Sequence, residues 1–265
     1  MVSFGRRMTL LCFIIAFSAT LIGSLTGLGG GVIIKPAMDL FTGNSISLAQ
    51  ISILSSVTVF SMSVYSTIKG LRNKVVLPMA QMIPLGISAG FGGYAGERLF
   101  RQVSAYFGEN VCRNVQAFAL LALITGVLIL YCLKERIHPL ALRNIVTICG
   151  IGFILGCISS FLGIGGGPIN VIMLSLLLSF DDKQCVFGSL FVIIFAQLIK
   201  ILSVVTAGNF SVPSASILLL MVTGGIFGGV VGSHFALKVS PKTVRSAFKT
   251  AMIGIIILNA IILLR

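Results

Sequence analysis

Six long stretches of the chain contain no charged residue, and they constrain the fold more than any other feature. They cover residues 8–34, 40–68, 75–96, 114–133, 144–180 and 201–237. A helix needs about 20 apolar residues to cross a hydrocarbon core of roughly 30 Å, and each stretch is at least that long. The chain is also 57% hydrophobic and only 9% charged, with a mean hydropathy of +1.10. We therefore expect an integral membrane protein with several spanning helices.

The predicted fold class is all-α, a polytopic membrane protein. Lipid admits only helices and closed β-barrels, because every backbone polar group must be paired within the protein. Barrel strands alternate polar and apolar residues, and the charge-free stretches do not. The net charge of +13 comes from Lys and Arg clusters between the apolar stretches. Membrane insertion selects cations at such places, so the charge does not indicate nucleic-acid binding.

One unit of sequence is used twice. The motif GLGGG at 27–31 reappears as GIGGG at 163–167, an offset of 163 − 27 = 136. The same offset pairs FGG at 91–93 with FGG at 227–229. A register shared over this length predicts a duplication. We assign a first transmembrane repeat, a linking loop and a second transmembrane repeat to residues 1–135, 136–143 and 144–265.

Each predicted repeat contains four apolar segments. They lie at about 8–40, 46–68, 75–97 and 112–133, and then at 144–180, 184–206, 212–236 and 245–264. The first segment of each repeat is too long for one crossing, since the 37 residues of 144–180 make about 55 Å of helix. It must break, tilt strongly or turn back. We expect the break at the glycine motif, because glycine disfavours helix.

The relative orientation of the repeats depends on whether the broken segments cross the membrane. With eight plain crossings, nine cations lie on each side, and the positive-inside rule is silent. If both glycine segments are re-entrant, the halves are inverted and the count becomes 7 against 11. This count mildly favours the inverted arrangement, and the parallel one stays open.

The two glycine motifs are the predicted substrate site. Transporters bind their substrates where unwound backbone interrupts membrane helices. A helix that begins after the glycines directs unpaired N–H groups and a positive dipole end into the break, which favours an oxyanion. Polar side chains near the breaks complete the site. The predicted substrate-binding residues are Gly27, Gly29, Gly30, Gly31, Gly163, Gly165, Gly166, Gly167, Asn170, Gln50, Ser52, Ser189, Gln197 and Lys200.

Several of these features have plain structural explanations as well. Small residues allow close helix packing in membranes, and we favour that role for the two FGG motifs. Ser and Thr hydroxyls often bond their own helix. Lys200 and Lys35 either attract an anion or extend to the interface. All six acidic residues fall at segment ends, which argues against a cation substrate or a carboxylate proton relay.

No pattern in the sequence is typical of an enzyme. Ser233 and His234 are adjacent, and neighbours on a helix do not face one another, so they cannot form a nucleophile and base pair. No metal, nucleotide or other cofactor motif is found. The expected partners are membrane lipid and a small anionic substrate, not nucleic acid, and a homo-oligomer stays open.

The duplicated motifs resemble those of the sulfite exporter TauE/SafE family, also called the toluene sulfonate uptake permease family. The resemblance is carried by both glycine motifs, by Pro36 after the first, and by the pair Gly188-Ser189. It implies a permease that moves sulfite, sulfoacetate or organosulfonates across the bacterial inner membrane without hydrolysing ATP. Pro168 and Ser52 depart from the family pattern and weaken the transfer of a substrate. A non-transporting scaffold subunit and an anion channel are the alternatives.

Overall fold

The computed structural model describes residues 2–42, 46–107, 109–162, 165–208 and 210–263. In these ranges it contains ten α-helices and no β-strand, so the all-α fold class is confirmed. The helices are α1 Val2–Thr26, α2 Gly31–Thr42, α3 Leu48–Arg72, α4 Met79–Phe107, α5 Glu109–Leu133, α6 Ile145–Phe161, α7 Gly167–Leu178, α8 Asp182–Thr206, α9 Ala215–Lys238 and α10 Pro241–Leu263. A 3-10 turn, Lys134–Arg136, follows α5.

Five helical stretches in the described part of the chain are long and apolar enough to cross a membrane. They are Met8–Thr26, Ala49–Arg72, Asp182–Thr206, Ala215–Lys238 and Pro241–Ile261. Shorter apolar helices lie at Ala117–Leu133, Ile145–Phe161 and Gly167–Leu178. Large apolar side chains such as Phe91, Phe118 and Phe227 are exposed on the outside of the bundle. Such an exterior is stable in lipid and unfavourable in water.

The chain turns back between α1 and α2. The N–H of Gly29 donates to the carbonyl of Gly23 at 3.2 Å. A Cβ at Gly30 would lie 3.0 Å from the carbonyl oxygen of Ala19. Residues after the interruption therefore lie beside residues before it, and α1 and α2 form a hairpin.

A second hairpin joins α6 and α7. The N–H groups of Leu140 and Leu142, just before α6, donate to the carbonyls of Leu176 and Leu177 at 2.9 and 2.8 Å. These carbonyls belong to the last turn of α7. The start of α6 and the end of α7 therefore lie together at one face of the bundle.

Two helix pairs pack especially closely. α1 packs along α9, and α4 packs along α6. A Cβ at Gly92 of α4 would overlap the carbonyl of Phe153 in α6, and one at Gly228 of α9 would crowd the carbonyl of Phe17 in α1. Glycine is needed at these positions because the backbones touch. The two FGG motifs thus serve helix packing, as we favoured from the sequence.

Charged residues tie one face of the bundle together. Asp182, in the first turn of α8, accepts hydrogen bonds from Lys134 Nζ and Arg245 Nε, each at 2.6 Å. Lys183 Nζ donates to the carbonyl of Leu237 at 2.8 Å. These contacts join the start of α8 to the ends of α5 and α9 and to the start of α10. We call this face of the bundle the basic face.

Candidate functional site

A narrow polar cavity lies inside the bundle beside the interruption between α6 and α7. Its lining comes from α2, α3, α4, α6, α7 and α8 and consists of Gly31, Lys35, Ser55, Ser56, Ala89, Gly156, Ser159, Ser160, Gly165, Gly166, Asn170, Val192, Ala196, Gln197 and Lys200. The cavity volume is about 20 Å³, which is room for about one ordered water molecule. A larger solute requires the helices to move apart.

Two amide side chains lie on the backbone of this interruption. Gly165 and Gly166 have φ of 69° and 91°, in the left-handed region that glycine adopts without strain. A Cβ at Gly165 would lie 2.8 Å from Gln197 Nε2, and one at Gly166 would lie 3.0 Å from Asn170 Nδ2. Both amides are therefore in contact with the chain just before α7 begins. Gly163, which belongs to the predicted site, lies outside the described residues.

Two buried polar atoms in the cavity wall have no hydrogen-bond partner in the described part of the chain. They are Ser159 Oγ and Gln197 Oε1, and their residues are only 3% and 6% exposed. An unpaired buried polar atom costs about 1–3 kcal/mol. A solute that accepts hydrogen bonds would pair with Ser159 Oγ, whereas Gln197 Oε1, itself an acceptor, would need a donor. The cavity is therefore the candidate site.

Two lysines give the cavity a positive charge. Lys35 of α2 and Lys200 of α8 both line it. Lys200 Nζ also donates to Ser52 Oγ at 2.7 Å, near the start of α3. Among the described lining residues there is no carboxylate. Because two adjacent ammonium groups repel, an anion between them is stabilised by both.

A wider recess adjoins the cavity at the face opposite the basic face. Its volume is about 210 Å³, and its lining includes Glu97 and Arg98 of α4 and Ser203 of α8. Glu97 interacts electrostatically with Lys35, and Ser203 lies one helical turn beyond Lys200. The recess thus lies on the side of the cavity opposite the basic face, and we call it the mouth.

The interruption between α1 and α2 contacts the second one directly. Ser189 Oγ donates to the carbonyl of Gly27 at 2.7 Å and approaches the carbonyl of Gly167 at 3.4 Å. A Cβ at Gly167 would overlap the backbone of Leu28. The two glycine motifs thus meet, with Ser189 between them. Within the first motif, Gly31 alone lines the cavity.

Three further residues of the predicted site lie away from the cavity. A Cβ at Gly29 would meet the side chain of Ile193, and Gly30 packs on α1. Gln50 completes a capping box with Ser47 at the start of α3. The pattern Ser-x-x-Gln before an apolar run is a helix-start signal that was present in the sequence. Gln50 therefore serves the helix end and does not line the cavity.

Some residues of the cavity wall were not predicted from the sequence. Ala89 of α4 and Gly156 of α6 line the cavity because these two helices pack closely, and no local motif announces such a contact. Ser159 and Ser160 were visible only as hydroxyls near the second glycine motif. Lys35 was noted as a lysine within an apolar segment, where attraction of an anion and extension to the interface were both open.

Comparisons with known proteins agree with this architecture. The family profile described as Sulfite exporter TauE/SafE matches residues 12–259. The chain is 27% identical over 263 residues to the Probable membrane transporter protein YunE of Bacillus subtilis (strain 168), covering 91% of this chain and 93% of that relative. No solved structure matches the chain. The protein is thus a multi-pass membrane transporter and not an enzyme, and it belongs to the sulfite exporter TauE/SafE family.

Proposed function

We propose that the protein is a secondary transporter of small sulfur-containing oxyanions, such as sulfite or an organosulfonate, in the bacterial inner membrane. The cavity carries this proposal, since it combines two lysines with the unpaired buried hydroxyl of Ser159, which can donate to an anion. An oxyanion presents several acceptor oxygens on one small centre, and the ammonium groups of Lys35 and Lys200 and the amides of Asn170 and Gln197 are donors. The sulfur is suggested by the family description.

The start of α7 adds to the preference for an anion. α7 is 12 residues long and begins at Gly167, with Pro168 in its first turn. The first amides of a helix have no partner within it, and the dipole places partial positive charge there. This end of α7 faces the cavity through Gly165 and Gly166. The backbone charge and the lysines therefore act on the same solute.

The packing of the helices supports two inverted halves. The contact of α1 with α9 has its counterpart in that of α6 with α4, and the contact of α3 with α9 has its counterpart in that of α8 with α4. α3 also packs on α8, and α5 packs on α10. Each of these contacts thus maps onto another, or onto itself, when the halves are exchanged. Any two-fold relation between the halves has this property, and an odd number of crossings in each half makes the relation an inverted one.

Met8–Thr26 of α1 is long and apolar enough to cross, but the α1–α2 and α6–α7 hairpins each return toward the face where they begin. We therefore take the crossing helices to be α3, α4, α5, α8, α9 and α10. Lys200, late in α8, then meets Ser52, early in α3, at one face, and Lys134, late in α5, meets Asp182, early in α8, at the other. The basic face holds eleven cations: Lys69, Arg72, Lys74, Lys134, Arg136, Arg143, Lys183, Lys238, Lys242, Arg245 and Lys249. The positive-inside rule assigns this face to the cytoplasm. The mouth of the cavity then faces away from the cytoplasm.

Counterflow in proteoliposomes tests the transport proposal. Vesicles preloaded with unlabelled sulfite are expected to accumulate radiolabelled sulfite from outside, and empty vesicles are not. Such exchange requires a carrier, whereas conductance without exchange would support a channel, and the absence of both would support a scaffold subunit.

Substitutions at the glycines test the site in the same assay. Gly30→Leu and Gly166→Leu are expected to abolish exchange, because both positions have positive φ and close neighbours. Gly126→Leu in α5 is the matched control, since a Cβ there meets nothing within 4 Å. Equal exchange by the wild type and by both site variants would remove the proposed site.

A further inference from the structure

A second group of polar side chains is buried on α3, between the first interruption and the basic face. Thr58 Oγ1, Ser63 Oγ and Thr67 Oγ1 have no hydrogen-bond partner in the described part of the chain. Their residues are 0%, 0% and 3% exposed. The cavity described above uses none of them. Three unpaired hydroxyls on one helix are costly in a membrane interior, so their presence needs a reason.

α9 packs on the side of α3 that carries Thr58 and Ser66, and the serine hydroxyls that bond it there do so at long distances. Ser24 Oγ of α1 and Ser66 Oγ of α3 donate to carbonyls of α9 at 3.3 and 3.5 Å, longer than the usual 2.7–2.8 Å of a hydroxyl donor. Lys69 Nζ, nearer the basic face, donates to another carbonyl of α9 at 2.8 Å. We call Ser24, Thr58, Ser63, Ser66 and Thr67 the buried seam.

The buried seam corresponds in position to the cavity. Capping boxes begin at Ser47 before α3 and at Asp181 before α8, which aligns the two helices at an offset of 181 − 47 = 134. The register of 136 found at the glycine motifs is therefore shifted by two residues along these helices. On this alignment Ser63 corresponds to Gln197. Both residues are buried, and both carry an unpaired polar atom.

Other members of the buried seam follow the same correspondence. At the offset of 134, Ser66 corresponds to Lys200. At the offset of 136 between α1 and α6, Ser24 corresponds to Ser160. The cavity is bounded by α6, α4 and α8, and the buried seam by α1, α9 and α3, which are their counterparts. The two regions are thus counterparts: one contains the narrow cavity, and the other contains the unpaired hydroxyls.

Resting on the transport function proposed above, we propose that the buried seam is the second half of the anion pathway and opens to the basic face when the cavity closes. In that state α9 separates from α1 and α3, and the hydroxyls of Ser63 and Thr67 donate to the anion. Lys69 then lies at the exit. The unpaired hydroxyls are explained because their partner is the solute in transit.

Cysteine accessibility tests this pathway. Ser63→Cys is exposed to a membrane-impermeant thiol reagent that carries a sulfonate, from each face of sealed vesicles in turn. An impermeant amine reagent that modifies Lys74 and Lys242, both exposed, identifies the basic face. α3 contains none of the native cysteines, so mass spectrometry of its peptide reports the reaction. Ser61→Cys is the control, since Ser61 lies on the same helix and bonds its own backbone at 2.9 Å.

Modification of Ser63→Cys from the basic face, but not from the opposite face, is the expected result, with Ser61→Cys unmodified from both. No modification from the basic face, or modification from the opposite face alone, overturns the pathway, whatever the flux. If the protein transports neither sulfite nor a sulfonate in these vesicles while Ser63→Cys still reacts from the basic face, the proposed substrate is wrong and the pathway stands.

A second measurement guards against a disruptive cysteine. Ser63→Ala and Thr67→Val remove the hydroxyls without adding bulk. Both are expected to slow exchange while leaving equilibrium binding of sulfite at the cavity unchanged. Wild-type exchange rates in both variants would overturn the role of these hydroxyls.

Discussion

Replacing Lys200 by methionine is the sharpest test of the cavity. The substitution removes one of its two cations and keeps an unbranched side chain of similar length. Lys200 Nζ now bonds Ser52 Oγ at 2.7 Å and lines the same cavity as Lys35. The variant therefore loses a donor to the anion and, in the empty protein, a repulsion between cations.

The two losses act on binding in the same direction. A hydrogen bond to a charged group contributes about 1.5–3 kcal/mol, and about 1.4 kcal/mol changes an equilibrium constant tenfold. In the wild type the bound anion also relieves the repulsion between Lys35 and Lys200. The variant has no such repulsion, so binding gains nothing from its relief. Lys200→Met is thus expected to weaken anion binding by about 10- to 100-fold. The empty variant should unfold no more easily than the wild type.

The assay is the concentration dependence of sulfite exchange in proteoliposomes, with thermal unfolding in detergent as a check on folding. Lys242→Met is the matched control, since Lys242 is exposed on the basic face. Ser52→Ala removes only the neutral partner of Lys200 and should raise the half-saturating concentration by about fivefold. An unchanged half-saturating concentration in Lys200→Met, or an equal rise in Lys242→Met, would refute the reasoning.

Three further predictions concern the glycine motifs and the basic face. Gly166→Ala places a side chain at a φ of 91°, at a cost of about 1–2 kcal/mol, and should slow initial exchange rates, whereas Gly126→Ala should not. Ser189→Ala removes the 2.7 Å bond to Gly27 and should lower the free energy of unfolding by about 1 kcal/mol with little change in the half-saturating concentration. Asp182→Asn breaks two ion pairs of 2.6 Å, and a loss of about 3 kcal/mol is expected in detergent melts.

Most helices were predictable because the membrane requires long charge-free stretches. The segments expected at about 46–68 and 184–206 correspond to α3 and α8. α4 differs, since it continues to Phe107, ten residues beyond the expected end at 97. An apolar segment in the sequence marks only the part of a helix that lies in lipid. The helix itself, held by its backbone hydrogen bonds, can extend further into water. Arg98 and the polar residues after it extend α4 beyond the bilayer without contradicting the membrane argument.

The kinds of residue in the candidate site were predictable from the sequence, but which individual residues line the cavity was not. The glycine motifs and the costly buried amides pointed to Asn170 and Gln197, which do line the cavity. Gln50 and Ser52 are two positions apart in sequence, yet Gln50 caps α3 while Ser52 bonds Lys200. Which polar residue reaches a cavity depends on packing between distant helices. Sequence spacing within one helix does not determine it.

The two copies of the glycine motif have similar backbones but different side chains around them. This difference in side chains affects how tightly each half can hold an anion. Asn170 corresponds to Ile34 at the offset of 136, and Gln197 corresponds to Ser63 at the offset of 134. Amides and lysines should therefore hold an anion in the cavity more tightly than hydroxyls hold it in the buried seam. Unequal affinity cannot by itself create a gradient, because an uncoupled carrier must obey the same equilibrium from both faces. The inequality instead sets a lower half-saturating concentration at the mouth of the cavity than at the basic face, while the direction of net movement follows the anion gradient and the membrane potential.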